Sequence, residues 1–132
     1  MSEARTLTEL QLAILGILWE RGEATTLDVH EALRVDRGLA VTTVATLLTR
    51  LEKKGVLSHR KDGRQHIYRP TVSRGDVRRS KVQELTETLF DGDAAALVSH
   101  LVDPDTVSSD DLDRMRSLIR DAEARLGQDT SE

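Results

Sequence analysis

The sequence predicts a mostly α protein with a small β-hairpin, arranged in two parts. Three observations predict it. Before residue 55, three segments repeat apolar side chains at helical spacing and are punctuated by glycines. The periodicity then switches to that of a hairpin centred on Asp62-Gly63. Beyond Pro70, helical spacing returns, but on narrow apolar stripes that are too slim to form an independent core.

Taken in order, Thr8-Glu9-Leu10-Gln11 fits a capping box, with Thr8 as N-cap and Gln11 reaching back. Leu10, Ile14, Ile17 and Leu18 follow at helical spacing, Leu15 and Trp19 widen the buried face, and Gly22 ends the helix. Ala24-Thr25-Thr26 reads as a short extended link. Thr26 is expected to cap a second helix over residues 27–33, with Val29 and Leu33 inward and a turn at Asp36-Arg37-Gly38. The third helix spans residues 41–54, with Gly55 as its left-handed cap. In it Val44, Leu47, Leu48 and Leu51 form the inward stripe.

The opposite face of that third helix is the most informative feature of the chain. It carries Thr42, Thr43, Thr46 and Thr49, then Arg50 and Lys53, with no carboxylate in its first two turns. Threonine is a mediocre helix former because its branched Cβ restricts χ1. A face selected for stability alone would hold Ala, Glu or Lys. Short hydroxyl-and-methyl side chains followed by cations suit the major groove of DNA, where Thr meets a thymine methyl, a base edge or a phosphate.

The hairpin is read as residues 56–61 and 64–69 around an Asp62-Gly63 turn, with Pro70 closing the second strand. Three helices followed by a hairpin tipped by Arg60, Lys61 and Arg64 outline a winged helix-turn-helix over residues 1–71. Residues 72–132 form a helical region: a long helix over 72–90 interrupted by Gly92, a short one over 94–102, and a last one capped by Ser109, with a frayed end at 128–132. Leu85, Leu89, Phe90, Leu97, Leu101, Met115, Leu118, Ile119 and Leu126 are the side chains expected to pack against a second copy.

Charge supports this division. Between Arg37 and Arg79 eleven Lys/Arg face three acids, a net +8, and from Lys81 onward five face thirteen, a net −8. The chain total of −4 hides a basic middle and an acidic tail. With hydrophobic residues at 38% and aromatics at 2%, the core is aliphatic and modest, which favours burial by self-association. The absence of cysteine excludes disulfides, thiolate metal sites and thiol redox chemistry. Lacking an eighteen-residue apolar run and any signal-peptide pattern at Met1-Ser2-Glu3-Ala4-Arg5, the protein is expected to be cytoplasmic and not inserted in a membrane.

Nothing points to an enzyme. There is no phosphate loop, nucleophile elbow or convergent carboxylate pair, and no cofactor motif. A two-residue Asp62-Gly63 turn places His59 opposite His66, but two histidines alone make a poor metal site, and no metal is expected.

The segment from Leu39 through Gly55, the hairpin ending Tyr68-Arg69-Pro70, the Leu89-Phe90-Asp91-Gly92 junction and Leu18-Trp19-Glu20 resemble the BlaI/MecI penicillinase-repressor family, over nearly the whole chain. The resemblance implies a homodimeric transcriptional repressor on palindromic double-stranded operators. Its recognition-helix contacts fall on Thr42, Thr43, Ala45, Thr46 and Arg50; by charge and position, Arg50 and Lys53 are expected to meet phosphates and the wing residues Arg60, Lys61 and Arg64 the adjacent DNA backbone. Ala45 departs from relatives that hold a long polar or basic residue there. Members inactivated by a membrane sensor-peptidase are cut at an Asn-Phe bond, and the aligned pair here is His100-Leu101. A copper-responsive branch ends in a cysteine cluster that this chain lacks. Two other classes fit the same outline: a winged-helix module binding an acidic protein, and a regulator sensing a small ligand.

Overall fold

Thr8 opens the first helix with the reciprocal cap that its sequence predicts. Its Oγ1 accepts from the Gln11 amide (3.2 Å), while Gln11 Oε1 accepts from the Thr8 amide (3.0 Å). Two amides at the helix end are thereby satisfied. The structure, a computed structural model, describes residues 7–130. The elements are α1 (Glu9–Arg21), β1 (Ala24–Thr25), α2 (Thr26–Arg37), α3 (Val41–Lys53), β2 (Leu57–Asp62), β3 (Gln65–Pro70), α4 (Arg74–Leu89), α5 (Ala94–Leu101) and α6 (Ser109–Thr130). The class is the predicted one, mostly helical with a small sheet.

Several details differ from the sequence reading. Thr25, not Thr26, caps α2: Asp28 N donates to Thr25 Oγ1 (3.1 Å) and Thr25 N to Asp28 Oδ2 (3.0 Å). The residue three beyond Thr25 is Asp28, which closes the box, whereas Thr26 would face Val29, which has no acceptor. The helix also runs past Leu33 to Arg37, since nothing before Gly38 breaks it. The same logic moves the cap of α6 from Ser109 to Ser108, whose hydroxyl accepts from Asp111 N (3.1 Å) while its own amide donates to Asp111 Oδ2 (3.2 Å). That last helix holds to Thr130, two residues beyond the point where its polar end predicts fraying; Ser131 and Glu132 lie outside the described residues.

The link at 24–25 is a strand. It pairs with β3 to give a three-stranded antiparallel sheet, order β1-β3-β2. The hairpin register is shifted: Asp62 pairs with Gln65, so Gly63 and Arg64 form the turn and His59 faces Tyr68 instead of His66. A type I′ turn at Asp62-Gly63 needs positive φ at both. Here Gly63 alone takes it (63°), at the first central position, as a type II′ turn requires. Because the partner moves by two residues, every side chain keeps its face. His66 becomes the diagonal neighbour of His59, and the rings stack with centroids 4.4 Å apart.

The described chain divides into two compact units, one ending at Glu84 and the other beginning at Leu85. The core of the first is aliphatic: Ile14, Leu15 and Leu18 from α1, Val29 and Leu33 from α2, Val44, Leu48 and Leu51 from α3, then Val56, Leu57 and Tyr68 of the sheet region. Val77 of α4 joins it, so the first half of that helix packs with the wing-bearing unit. Trp19 fixes the approach to α4 by donating from Nε1 to the Val72 carbonyl (2.9 Å). Among the enclosed polar side chains, Gln11, only 6% exposed, accepts also from Lys54 Nζ (3.1 Å) and so ties α1 to the end of α3.

In the second unit, Asp91 and Gly92 take positive φ between α4 and α5, and Asp93 caps α5 by accepting from Ala96 N (3.0 Å). From Leu85 onward not one described residue is buried. Among the described residues no helix is long and apolar enough to cross a membrane.

Candidate nucleic-acid interface

Burial of Val44, Leu48 and Leu51 fixes the rotation of α3 and turns the threonine face outward. Thr42, Thr43, Thr46, Thr49, Arg50 and Lys53 are exposed and Ala45 is half-buried. The helix starts at Ala40, which gives no side-chain cap, and its first turn holds no acid. Thr8, Thr25, Ser73, Asp93 and Ser108 each accept a backbone amide at the start of α1, α2, α4, α5 and α6 respectively. The start of α3 is thus left with open amides and the positive end of the helix dipole, the polarity that attracts phosphate.

The hydroxyls are not all equally available. Thr46 Oγ1 donates to the Thr42 carbonyl and Thr49 Oγ1 to the Ala45 carbonyl, each at 3.0 Å. Such bonds to the preceding turn use the hydroxyl proton inside the helix. Thr46 therefore offers its methyl and its oxygen lone pairs. Thr49 is further engaged with the buried Tyr68, whose hydroxyl pKa is raised above the ordinary 10.0 by burial and lowered less by Thr49. Thr42 and Thr43 have no such side-chain bond among the described residues.

The cations divide in the same way. Arg50 and Lys53 near the end of α3, and Lys61 and Arg64 at the wing tip, are exposed. Arg60 is not equivalent to them: its guanidinium donates to Glu23 (2.9 Å), and that bond together with the charge of Glu23 raises its pKa. Sequence reasoning missed Glu23 because the pairing is made across the sheet, far along the chain. Glu52 of α3 binds His59 Nδ1 of β2 at 2.6 Å, so α3 and the wing are braced against each other by side chains. Lys54, by contrast, is drawn away to Gln11.

The residues expected to face a second copy lie in the other unit or at its edge. Leu85, Leu89, Leu101, Leu118, Ile119 and Leu126 are all exposed, with Leu118 at 67% and Leu126 at 64%. Phe90, Leu97 and Met115 are half-buried. Phe90 meets the ring of His100 edge-on at 5.3 Å. His100 and Leu101 are exposed at the end of α5.

Three helices, a three-stranded sheet with a cation-tipped wing, and an outward helix of threonines define a winged helix-turn-helix protein. Residues 7–121 match the penicillinase repressor family, and the chain belongs to it. It is 36% identical over 129 residues to the transcriptional regulator BlaI of Mycobacterium tuberculosis, covering 96% of this chain and 92% of that protein. It is 22% identical over 125 residues to the penicillinase repressor of Bacillus licheniformis, covering 95% and 98%. Among solved structures, the DNA-binding domain of the repressor BlaI superposes with a TM-score of 0.51 at 29% identity, covering 58% of this chain and 93% of that one.

Proposed function

We propose that the chain represses transcription as a homodimer that lays α3 of each protomer in a major groove of a palindromic operator. The observation that carries this reading is the exposed, uncapped, acid-free start of α3 with Thr42, Thr43, Ala45 and Thr46 on its outer face. Those residues would meet base edges. Arg50, Lys53, Lys61 and Arg64 would lie on phosphates, where they supply affinity but little sequence information. Arg60 joins them only if it leaves Glu23. Two-fold symmetry sets the two helices one DNA turn apart, ~34–36 Å.

Dimerisation is supported by the second unit, in which no described apolar side chain is fully buried and Leu85, Leu89, Leu101, Leu118, Ile119 and Leu126 are exposed. Exposed aliphatic side chains at this density call for a partner surface. Cleavage at His100-Leu101 by a membrane sensor-peptidase would separate α6, with Leu118, Ile119 and Leu126, from the winged helix.

Fluorescence anisotropy with a duplex selected from genomic DNA, against a random duplex of equal length, tests the reading. Specific binding with a steep salt dependence is expected. Equal affinity for both duplexes would overturn it. Sedimentation of Leu118→Glu should show the dimer converted to monomer at micromolar concentration, with half-site binding retained and the palindromic advantage lost. A variant that stays dimeric would place the dimer contact elsewhere.

A further inference from the structure

Apart from its DNA-facing side, the wing-bearing unit has an apolar groove of about 410 Å³ between α1 and the first half of α4. Leu12, Gly16 and Trp19 line it from α1, and Val77 from α4. Its rim is cationic: Arg74, Arg78 and Lys81 also line it, and among the described residues no carboxylate does. The α3 face and the wing contribute nothing to its lining, so the groove is distinct from the surface on which the proposed function rests.

Two features suggest that the groove is built and not a packing defect. The first is Gly16. Glycine inside a helix costs roughly 0.5–1 kcal/mol relative to alanine. Neither usual reason for accepting that cost applies: Gly16 is not among the glycines with positive φ, and a Cβ placed on it would meet nothing within 4 Å. What its missing side chain does is keep the groove floor open. The second feature is the rim. Arg74 lies over the Trp19 ring at 5.6 Å, Lys81 is tied to the Leu7 carbonyl (2.7 Å) and to Glu84 (3.6 Å), and Arg78, four residues after Arg74, stands exposed. An apolar floor with two guanidiniums at one edge matches a small molecule that is apolar at one end and anionic at the other. Guanidinium bound to carboxylate is the strong form of that recognition. The volume is in the range of small-ligand sites.

We propose that this α1–α4 groove binds a small amphipathic carboxylate, its hydrocarbon part between Gly16 and Val77 and its carboxylate on Arg78, with Arg74 beside it. The groove's one indole, Trp19, is the only tryptophan of the chain, so its fluorescence reports on this site alone.

The test titrates the full chain with octanoate, and with octan-1-ol as the uncharged equivalent, while Trp19 emission is followed. A saturable change with octanoate is expected, about tenfold weaker with octanol, and Arg78→Gln should weaken octanoate about tenfold while leaving octanol unaffected. Gly16→Leu should abolish the change and leave the melting temperature equal or higher, since the helix gains a better former and the new side chain enters open space. Arg78 is exposed, so its variant reads out the site even if the Gly16 variant fails to fold. The proposal is overturned if octanoate gives no saturable change, if octanol matches octanoate, or if folded Gly16→Leu still responds. A Trp19 signal that instead tracks protein concentration without octanoate would make the occupant a second copy of the chain and would equally overturn it.

Discussion

Thr46 gives the sharpest prediction, because its geometry separates two ways in which a threonine reads DNA. The hydroxyl proton is directed at the Thr42 carbonyl, 3.0 Å away, so contact through the methyl leaves the helix unchanged whereas donation to a base would first break that bond. If the methyl makes the contact, Thr46→Val keeps it and should bind the operator within about threefold of the parent protein. Thr46→Ser and Thr46→Ala both remove the methyl. One buried methyl is worth about 0.8 kcal/mol, and a dimer presents it twice, so the loss is ~1.6 kcal/mol or ~15-fold in affinity. Binding to random duplex should be unchanged in all three, since phosphates are not involved. Anisotropy titrations at one fixed salt concentration measure all of these values. The reverse order, with serine near the parent and valine as weak as alanine, would refute the reasoning and show that the hydroxyl leaves Thr42 when DNA binds.

Two further outcomes follow from the ion pairs and caps. Glu23→Gln should release Arg60 toward the DNA backbone; each new phosphate contact steepens the salt dependence by about 0.9, so a dimer should gain up to about 2 in slope, with random duplex gaining as much as operator. An unchanged slope would mean that Arg60 does not reach phosphate. Asp28 closes the cap of α2, and its hydrogen bonds with Thr25 lower its carboxyl pKa below the ordinary 3.8. The stability that this cap supplies is therefore present above pH 3.8 and is lost as pH falls through the lower folded value. Chemical denaturation of Asp28→Asn at several pH values should accordingly show a deficit at neutral pH that shrinks in acid; a deficit constant with pH would refute this account.

Elements whose causes are local can be read from the chain alone. The Thr8–Gln11 box, the apolar spacing of Val44, Leu48 and Leu51, the left-handed Gly55 and the existence of a hairpin all follow from residues within a few positions of one another. The threonine face of α3 was legible for the same reason: once the inward stripe is fixed, helical geometry sets the outward one. Ambiguity began where two neighbours could play one role. Thr25 and Thr26, or Ser108 and Ser109, differ only in what stands three residues later, and Asp62-Gly63 fits either of two turn frames.

Features that join residues far apart in the chain emerge only on folding. Ala24 and Thr25 are a strand only because β3 lies beside them. Arg60 is held back from the wing surface by Glu23, and Lys54 by Gln11, across separations that no periodicity encodes. The Trp19–Val72 bond and the open floor at Gly16 belong to the packing of α4 on α1, which no periodicity in either helix encodes. Local hydrogen bonding and side-chain spacing repeat along the chain and can be read from it. Pairing between distant charges depends on where the packed core places each backbone, and that is settled only when the whole domain folds.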